Sequence, residues 1–354
     1  MDNASQSGNM LETLRRQLSE KLPTGWRIVE KRRTGSSAES DRCVDAVLKI
    51  RGPSGKTGLV LVQTKGRVEP KDAVMLKSIL GPGSGSPVLI AAPFVSPRTQ
   101  ARLKSMGFGY ADLTGNLRLN LSEPGLFIET SGAARNPTPT ARDRRSLRGA
   151  KAGRLVRALC DFRPPVGLRE LAKRAGIDAG YASRIIDFLD RDAMVVRKER
   201  GPITEVDWPA LIRRWSEEYS PLRAERVSWY LAPRGMGTLL DRLKKLSGRF
   251  AVSGSWAAAQ FAPVSPTRLF LCYADDIAAL AGTLDLRRTD AGANVALAVP
   301  FDPVIYERTV EKQGARVVAP SQIAVDLLGS PGRGPNEAEA LIDWMREHEN
   351  AWRT

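Results

Sequence analysis

The stretch from Gly167 to Asp207, GLRELAKRAGIDAGYASRIIDFLDRDAMVVRKERGPITEVD, limits the possible folds of this chain more than any other. Leu168, Leu171 and Ala172 recur at helical spacing, Gly176 ends that helix, and Ile177 plugs the turn. Asp178 stands where a short polar side chain caps a second helix, over 179–190. In that helix Ile185, Ile186 and Leu189 point inward, and Tyr181, Ser183 and Arg184 share the other side. AMVVRKER (193–200) and ITEVD (203–207) then read as two short strands around Gly201-Pro202, and AGRLVRALCDF (152–162) supplies a preceding helix.

Over its whole length this segment resembles the winged helix-turn-helix domains of bacterial transcriptional regulators. The resemblance implies that the 179–190 helix enters the major groove of duplex DNA, with Tyr181, Ser183 and Arg184 meeting bases or phosphates. It also implies that Arg197, Lys198 and Arg200 on the wing meet the backbone or the minor groove. Ahead of the segment, GAARNPTPTARDRRSLRGAK (132–151) has two prolines, many small residues and no apolar period, which is linker composition. Arg142, Arg144, Arg145, Arg148 and Lys151 in it are candidates to fasten onto phosphates.

The distribution of charge supports a polyanion partner. Lys and Arg outnumber Asp and Glu by 19 to 12 in residues 1–134 and by 19 to 10 in 135–215, but stand at 16 to 17 in 216–354. An arginine-rich genome would raise the charge throughout, whereas this excess stops at the last third. Three scattered cysteines (Cys43, Cys160, Cys272) and a lone His348 exclude a disulfide framework and a Cys/His zinc site. No apolar leader opens the chain and no window suits a membrane span, so the expected location is cytoplasmic, at the nucleoid.

Residues 1–131 read in the order αβββαβαβ, a sheet flanked by helices. Within it VDAVLKI (44–50) and GLVLVQT (58–64) are strands, the second ending in Gln63-Thr64-Lys65. This arrangement resembles the restriction-endonuclease-like superfamily, the PD-(D/E)xK nucleases, and within it the Mrr-like branch. Asp45, Gln63 and Lys65 match its motif, with Glu12 or Glu20 as a further acid. The resemblance implies Mg²⁺ on Asp45 and Gln63 and a water-orienting Lys65. Gln63 offers a neutral carbonyl where a carboxylate would carry a full charge. The alternatives therefore stay open: an active nuclease, an inactive nuclease-like fold, or the polar end of a core strand. GYADLTGNLRL (109–119) resembles a Y-x-D-x-x-G-N signature of AbiEi-like regulators, and Asp112, Gly115 and Asn116 are also turn formers.

The last third begins RFAVSGSWAAAQFAPVSPTRLFLCYADD (249–276), a strand, Gly-Ser, a helix and a strand that resemble a nucleotidyltransferase entry. Its second strand carries no carboxylate before Asp275 and Asp276, so two-metal transfer cannot run on it. PVIYERTVEKQG reads as a helix, Trp256 and Trp344 as core, and Asp326 with Arg333 as a potential pair.

The expected fold class is α/β multidomain: a restriction-endonuclease-like domain (1–131), a basic linker (132–151), a winged helix-turn-helix (152–220) and a non-catalytic nucleotidyltransferase-like α/β domain (221–354). The expected function is a DNA-binding transcriptional regulator acting as a homodimer without a cofactor, with a protein partner as a further expectation. The alternative is a Mg²⁺-dependent nuclease targeted by the winged helix.

Overall fold

The computed structural model describes residues 2–32, 44–80, 86–138, 146–198, 201–222 and 226–354. The chain is α/β and falls into two compact units, 1–144 with 191–193, and 145–190 with 194–354. Among the described residues no helix is long and apolar enough to cross a membrane.

The first unit runs α1 (Asp2–Lys21), β1 (Arg27–Arg32), β2 (Ala46–Arg51), β3 (Thr57–Thr64), α2 (Pro70–Leu80), β4 (Val88–Ala92), α3 (Pro97–Ser105), β5 (Gly109–Asp112), β6 (Leu117–Leu121) and β7 (Leu126–Thr130). Its seven strands lie in sequence order in one sheet. The β3–β4 and β4–β5 pairs are parallel and the others antiparallel. Parallel strands joined by crossover helices are covered on both faces, which is why β4, VLIAA, is buried at every position. Leu11, Leu14 and Leu18 of α1 pack with Leu48, Val60 and Val62 in one core. A second core gathers Ala73 and Leu76 of α2 with Leu103 of α3 and Ile90 of β4. α3 starts where Ser-Pro predicts, with Ser96 Oγ accepting from Thr99 N at 3.2 Å.

The GYADLTGN segment is a strand end and a knot. Asp112 is buried and its two oxygens accept from Thr114 N (2.8 Å), Thr114 Oγ1 (2.7 Å), Asn116 N (3.1 Å), Asn116 Nδ2 (2.8 Å) and Val95 N (3.0 Å). Asn116 in turn donates to Ala133 O at 3.0 Å and accepts from Gly132 N at 2.8 Å, tying the β5–β6 turn to the chain beyond β7. Only glycine fits at 132, because a Cβ there would stand 2.4 Å from Thr114 O.

The second unit continues with α4 (Ala150–Asp161), α5 (Leu168–Arg174), α6 (Ala179–Arg191), β8 (Val195–Arg197), β9 (Ile203–Val206), α7 (Trp208–Ser216), β10 (Val227–Leu231), α8 (Gly235–Leu243), β11 (Phe250–Ser253), α9 (Gly254–Ala259), β12 (Phe270–Ala274), α10 (Ile277–Thr283), β13 (Arg287–Arg288), β14 (Val295–Ala298), β15 (Val310–Lys312), β16 (Ala315–Val317), α11 (Pro320–Leu328), α12 (Gly334–Glu347) and α13 (Glu349–Trp352). β8 and β9 form a hairpin of their own, and the rest make a mixed sheet in the order β13-β10-β14-β12-β11-β16-β15. One continuous core joins Leu155, Leu171 and Ile186 from the helical segment to Leu271, Val317 and Leu341 from the sheet segment.

PVIYERTVEKQG is not a helix. Pro303–Tyr306 makes one 3-10 turn capped by Asp302, and β15 and β16 follow as a hairpin. Arg308 and Gln313 sit at φ +56° and +50°, in the left-handed region that interrupts a helix. Asp326 does not pair with Arg333. It is wholly buried and accepts from Ser253 Oγ (2.5 Å), Gln322 Nε2 (2.8 Å) and Tyr219 OH (3.1 Å). Burial pushes its carboxyl up to about 6, against the hydrogen bonds that favour the charged form. Trp256 is buried and Trp344 packs against the core, stacked on His348.

Candidate nucleic-acid interface

α5 buries Leu171 and Ala172, and its chain turns at Gly176, φ +59°, a conformation without cost only for glycine. Ile177 N donates to Ala172 O at 3.0 Å, closing the turn, while Arg154 Nη1 donates to Gly176 O at 3.0 Å. Asp178 then caps α6, its Oδ1 accepting from Tyr181 N at 2.7 Å. Ala182, Ile185, Ile186 and Leu189 bury one face of α6. The placement of the other face follows from that seam: Tyr181 and Ser183 are half-buried and Arg184 is exposed. The Arg184 guanidinium lies 5.9 Å from the Tyr181 ring centre, and burial raises the Tyr181 phenol above its ordinary value, so it is a neutral hydrogen-bonding group near neutral pH.

The hairpin follows at once. Met194 N donates to Leu189 O at 2.9 Å and Asp207 N to Met194 O at 2.8 Å, so the wing grows from the end of α6. Arg197 faces that helix, donating to Asp187 Oδ1 at 2.6 Å with Asp190 Oδ2 at 4.0 Å. Lys198 is exposed, and Arg148 and Lys151 are exposed at the start of α4. Arg200, Arg142, Arg144 and Arg145 lie outside the described residues. Two basic groups that the sequence reading passed over, Arg169 and Lys173, stand exposed on α5. Their spacing opposite Leu171 and Ala172 was the available signal.

The strand-end residues of the first unit come together at one end of β2 and β3. Ala46 pairs with Val62, which sets Asp45 beside Gln63 on one sheet face. Asp45 is exposed, and its Oδ2 accepts from Thr64 N at 2.6 Å and Thr64 Oγ1 at 2.8 Å. Lys65 Nζ reaches Asp72 Oδ1 of α2 at 3.0 Å, and Asp72 Oδ2 also accepts from Glu69 N at 2.7 Å. The Gln63 side-chain oxygen is buried with no hydrogen-bond partner among the described residues. On α1, Glu12 stands 3.8 Å from Arg15 and Glu20 is exposed. Mg²⁺ asks for several hard, mostly anionic oxygens. Asp45, already accepting two bonds, with the neutral amide of Gln63, is a poor donor set for it.

Comparison with known proteins places no family name on the chain: no family model matches it and no curated protein does. Among solved structures, the apo form of EndoMS is similar over 30% of this chain and 45% of that one, with 14% identity and a TM-score of 0.19. The chain thus spans less than half the length of that protein, and nothing about fold or function is drawn from the likeness.

Proposed function

We propose that the chain is a DNA-binding transcriptional regulator that reads duplex DNA through α4–α6 and the β8–β9 wing, as a homodimer in the cytoplasm. The observation that carries the reading is α6 itself. Its apolar seam is consumed by the core, the half-buried Tyr181 and Ser183 flank that seam with Tyr181 packed against the core, and Arg184 is exposed beyond them, beside a hairpin that offers Lys198. Arg148, Lys151, Arg169 and Lys173 add exposed positive charge nearby in sequence, suited to phosphates rather than to base edges. In this reading the first unit has a restriction-endonuclease-like fold without cleavage, because its lysine and its aspartate are engaged by Asp72 and Thr64. The sheet of the second unit is a nucleotidyltransferase-like lobe without transfer: Asp276 caps α10 and Asp275 accepts from Tyr306 OH at 3.0 Å.

The test is fluorescence anisotropy of a labelled random duplex pool across salt. Log affinity should fall linearly with log salt, with a slope of about −0.9 per phosphate neutralised. Affinity that is flat from low to physiological salt would refute the reading.

A further inference from the structure

The second unit contains a cleft of about 400 Å³ lined by Leu222, by the approach to β12 and by the chain that leaves α11 and enters α12. Leu222, Leu269, Leu271 and Leu327 give it an apolar wall. Arg268 and Arg333 line it from different segments, and among the described residues neither guanidinium has a hydrogen-bond or ion-pair partner. Glu337 lines it too: it is buried, its Oε1 accepts from Ser265 Oγ at 2.9 Å, and its Oε2 is buried with no hydrogen-bond partner among the described residues. Arg333 and Glu337 stand four residues apart at the start of α12, the spacing of a helical ion pair, and none forms among the described residues.

These features constrain a ligand from several sides. An inorganic anion would satisfy the guanidiniums and leave the leucine wall wet, whereas a neutral hydrocarbon would cover the wall and desolvate two cations. The volume lies in the range of pockets that enclose small organic molecules. We infer that the cleft binds a small organic carboxylate with an apolar body. Its carboxylate meets Arg268 and Arg333 in charge-assisted bonds, and its body lies on the leucines. α11, which ends at the cleft with Leu327, also carries Gln322, whose Oε1 accepts from Arg157 of α4 at 3.1 Å. An occupied cleft is therefore one helix away from the DNA-reading segment. The binding site itself does not depend on the DNA reading.

Calorimetric titration of the full chain with indole-3-acetate and 3-phenylpropionate, in the absence of DNA, tests the inference. Indole-3-acetate should bind with Kd below about 1 mM, and indole-3-acetamide about tenfold or more weakly. The double variant Arg268→Ala/Arg333→Ala, altered only at exposed side chains, should lose about tenfold in affinity, and Leu269→Trp should fill the cleft and abolish binding. No heat from either carboxylate at about 5 mM, or equal binding of acid and amide, would overturn the site. So would undiminished binding by the arginine variant, or inorganic phosphate matching indole-3-acetate.

Discussion

The two units use their polar side chains in opposite ways. In the first, the groups that looked most like chemistry are turned on the fold itself: Asp45 on Thr64, Lys65 on Asp72, and Asp112 on the backbone of its own turn. In the second, polar groups divide between a closed interior network and an open face. Asp326, Ser253, Gln322 and Tyr219 satisfy one another inside, while Lys198 and Arg184 are exposed, the Arg184 guanidinium lying over the Tyr181 ring. A motif thus becomes available to a partner only when the fold keeps its side chains at the surface, which residue identity alone does not reveal.

The largest effect expected from breaking this comparison is in the first unit. Asp112→Ala removes the acceptor for five hydrogen bonds and leaves buried donors unpaired, so denaturant unfolding should show a loss of about 3 kcal/mol or more. DNA affinity measured on the folded fraction should not change.

The interior network of the second unit should appear as a pH dependence. The Asp326 carboxyl is raised from 3.8 to about 6 by burial, so the folded state holds its proton more tightly than the unfolded state. Its stabilising contribution is complete below about pH 4 and is lost as pH rises through about 6, a change on the order of 3 kcal/mol. Asp326→Asn should flatten the part of the stability profile between pH 4 and 7 that this group supplies. A variant profile parallel to that of the wild type would show that Asp326 titrates normally.

On the open face, Tyr181→Ala and Arg184→Ala should each cost about 1–3 kcal/mol of DNA affinity and relax base preference, measured by anisotropy on a selected site. Equal losses on all sequences would demote both residues to phosphate contacts. Smallest is Lys65→Ala. Its ion pair is partly exposed, so stability should fall by about 1 kcal/mol or less and DNA binding should hold. Plasmid incubated with Mg²⁺ or Mn²⁺ should stay intact with either protein; cutting that disappears with Lys65→Ala would restore the nuclease alternative.

Elements whose apolar spacing is complete within a few residues were readable from the chain. The helix read over 179–190 spans Ala179–Arg191, and the strand read over 58–64 spans Thr57–Thr64. β5 was hidden because GYAD is buried at all four positions and shows no alternation, leaving only its turn residues visible. α7, Trp208–Ser216, was missed although its start is written in Asp207-Trp208-Pro209, with Asp207 Oδ1 accepting from Ala210 N at 3.1 Å. The helix expected across 303–314 is instead a 3-10 turn and a hairpin. Arg308 takes positive φ there, and Gln313 with Gly314, both at positive φ, forms the two-residue loop that pairs Lys312 with Ala315 in the β15–β16 hairpin. At the candidate sites the residue types were legible, but their partners were not: Asp187 for Arg197, Asp72 for Lys65, and Gln322 with Ser253 for Asp326.

The amino-acid order by itself determined where helices cap and turn, which stripe of α6 is apolar, and that positive charge gathers ahead of residue 216. Those are short-range or additive properties, written in neighbours a few positions apart. Tertiary structure alone decided which charged groups remain open and which close on one another. That outcome depends on side chains brought together from distant positions, Tyr219 with Asp326 or Arg157 with Gln322, whose separation along the chain carries no trace of their contact.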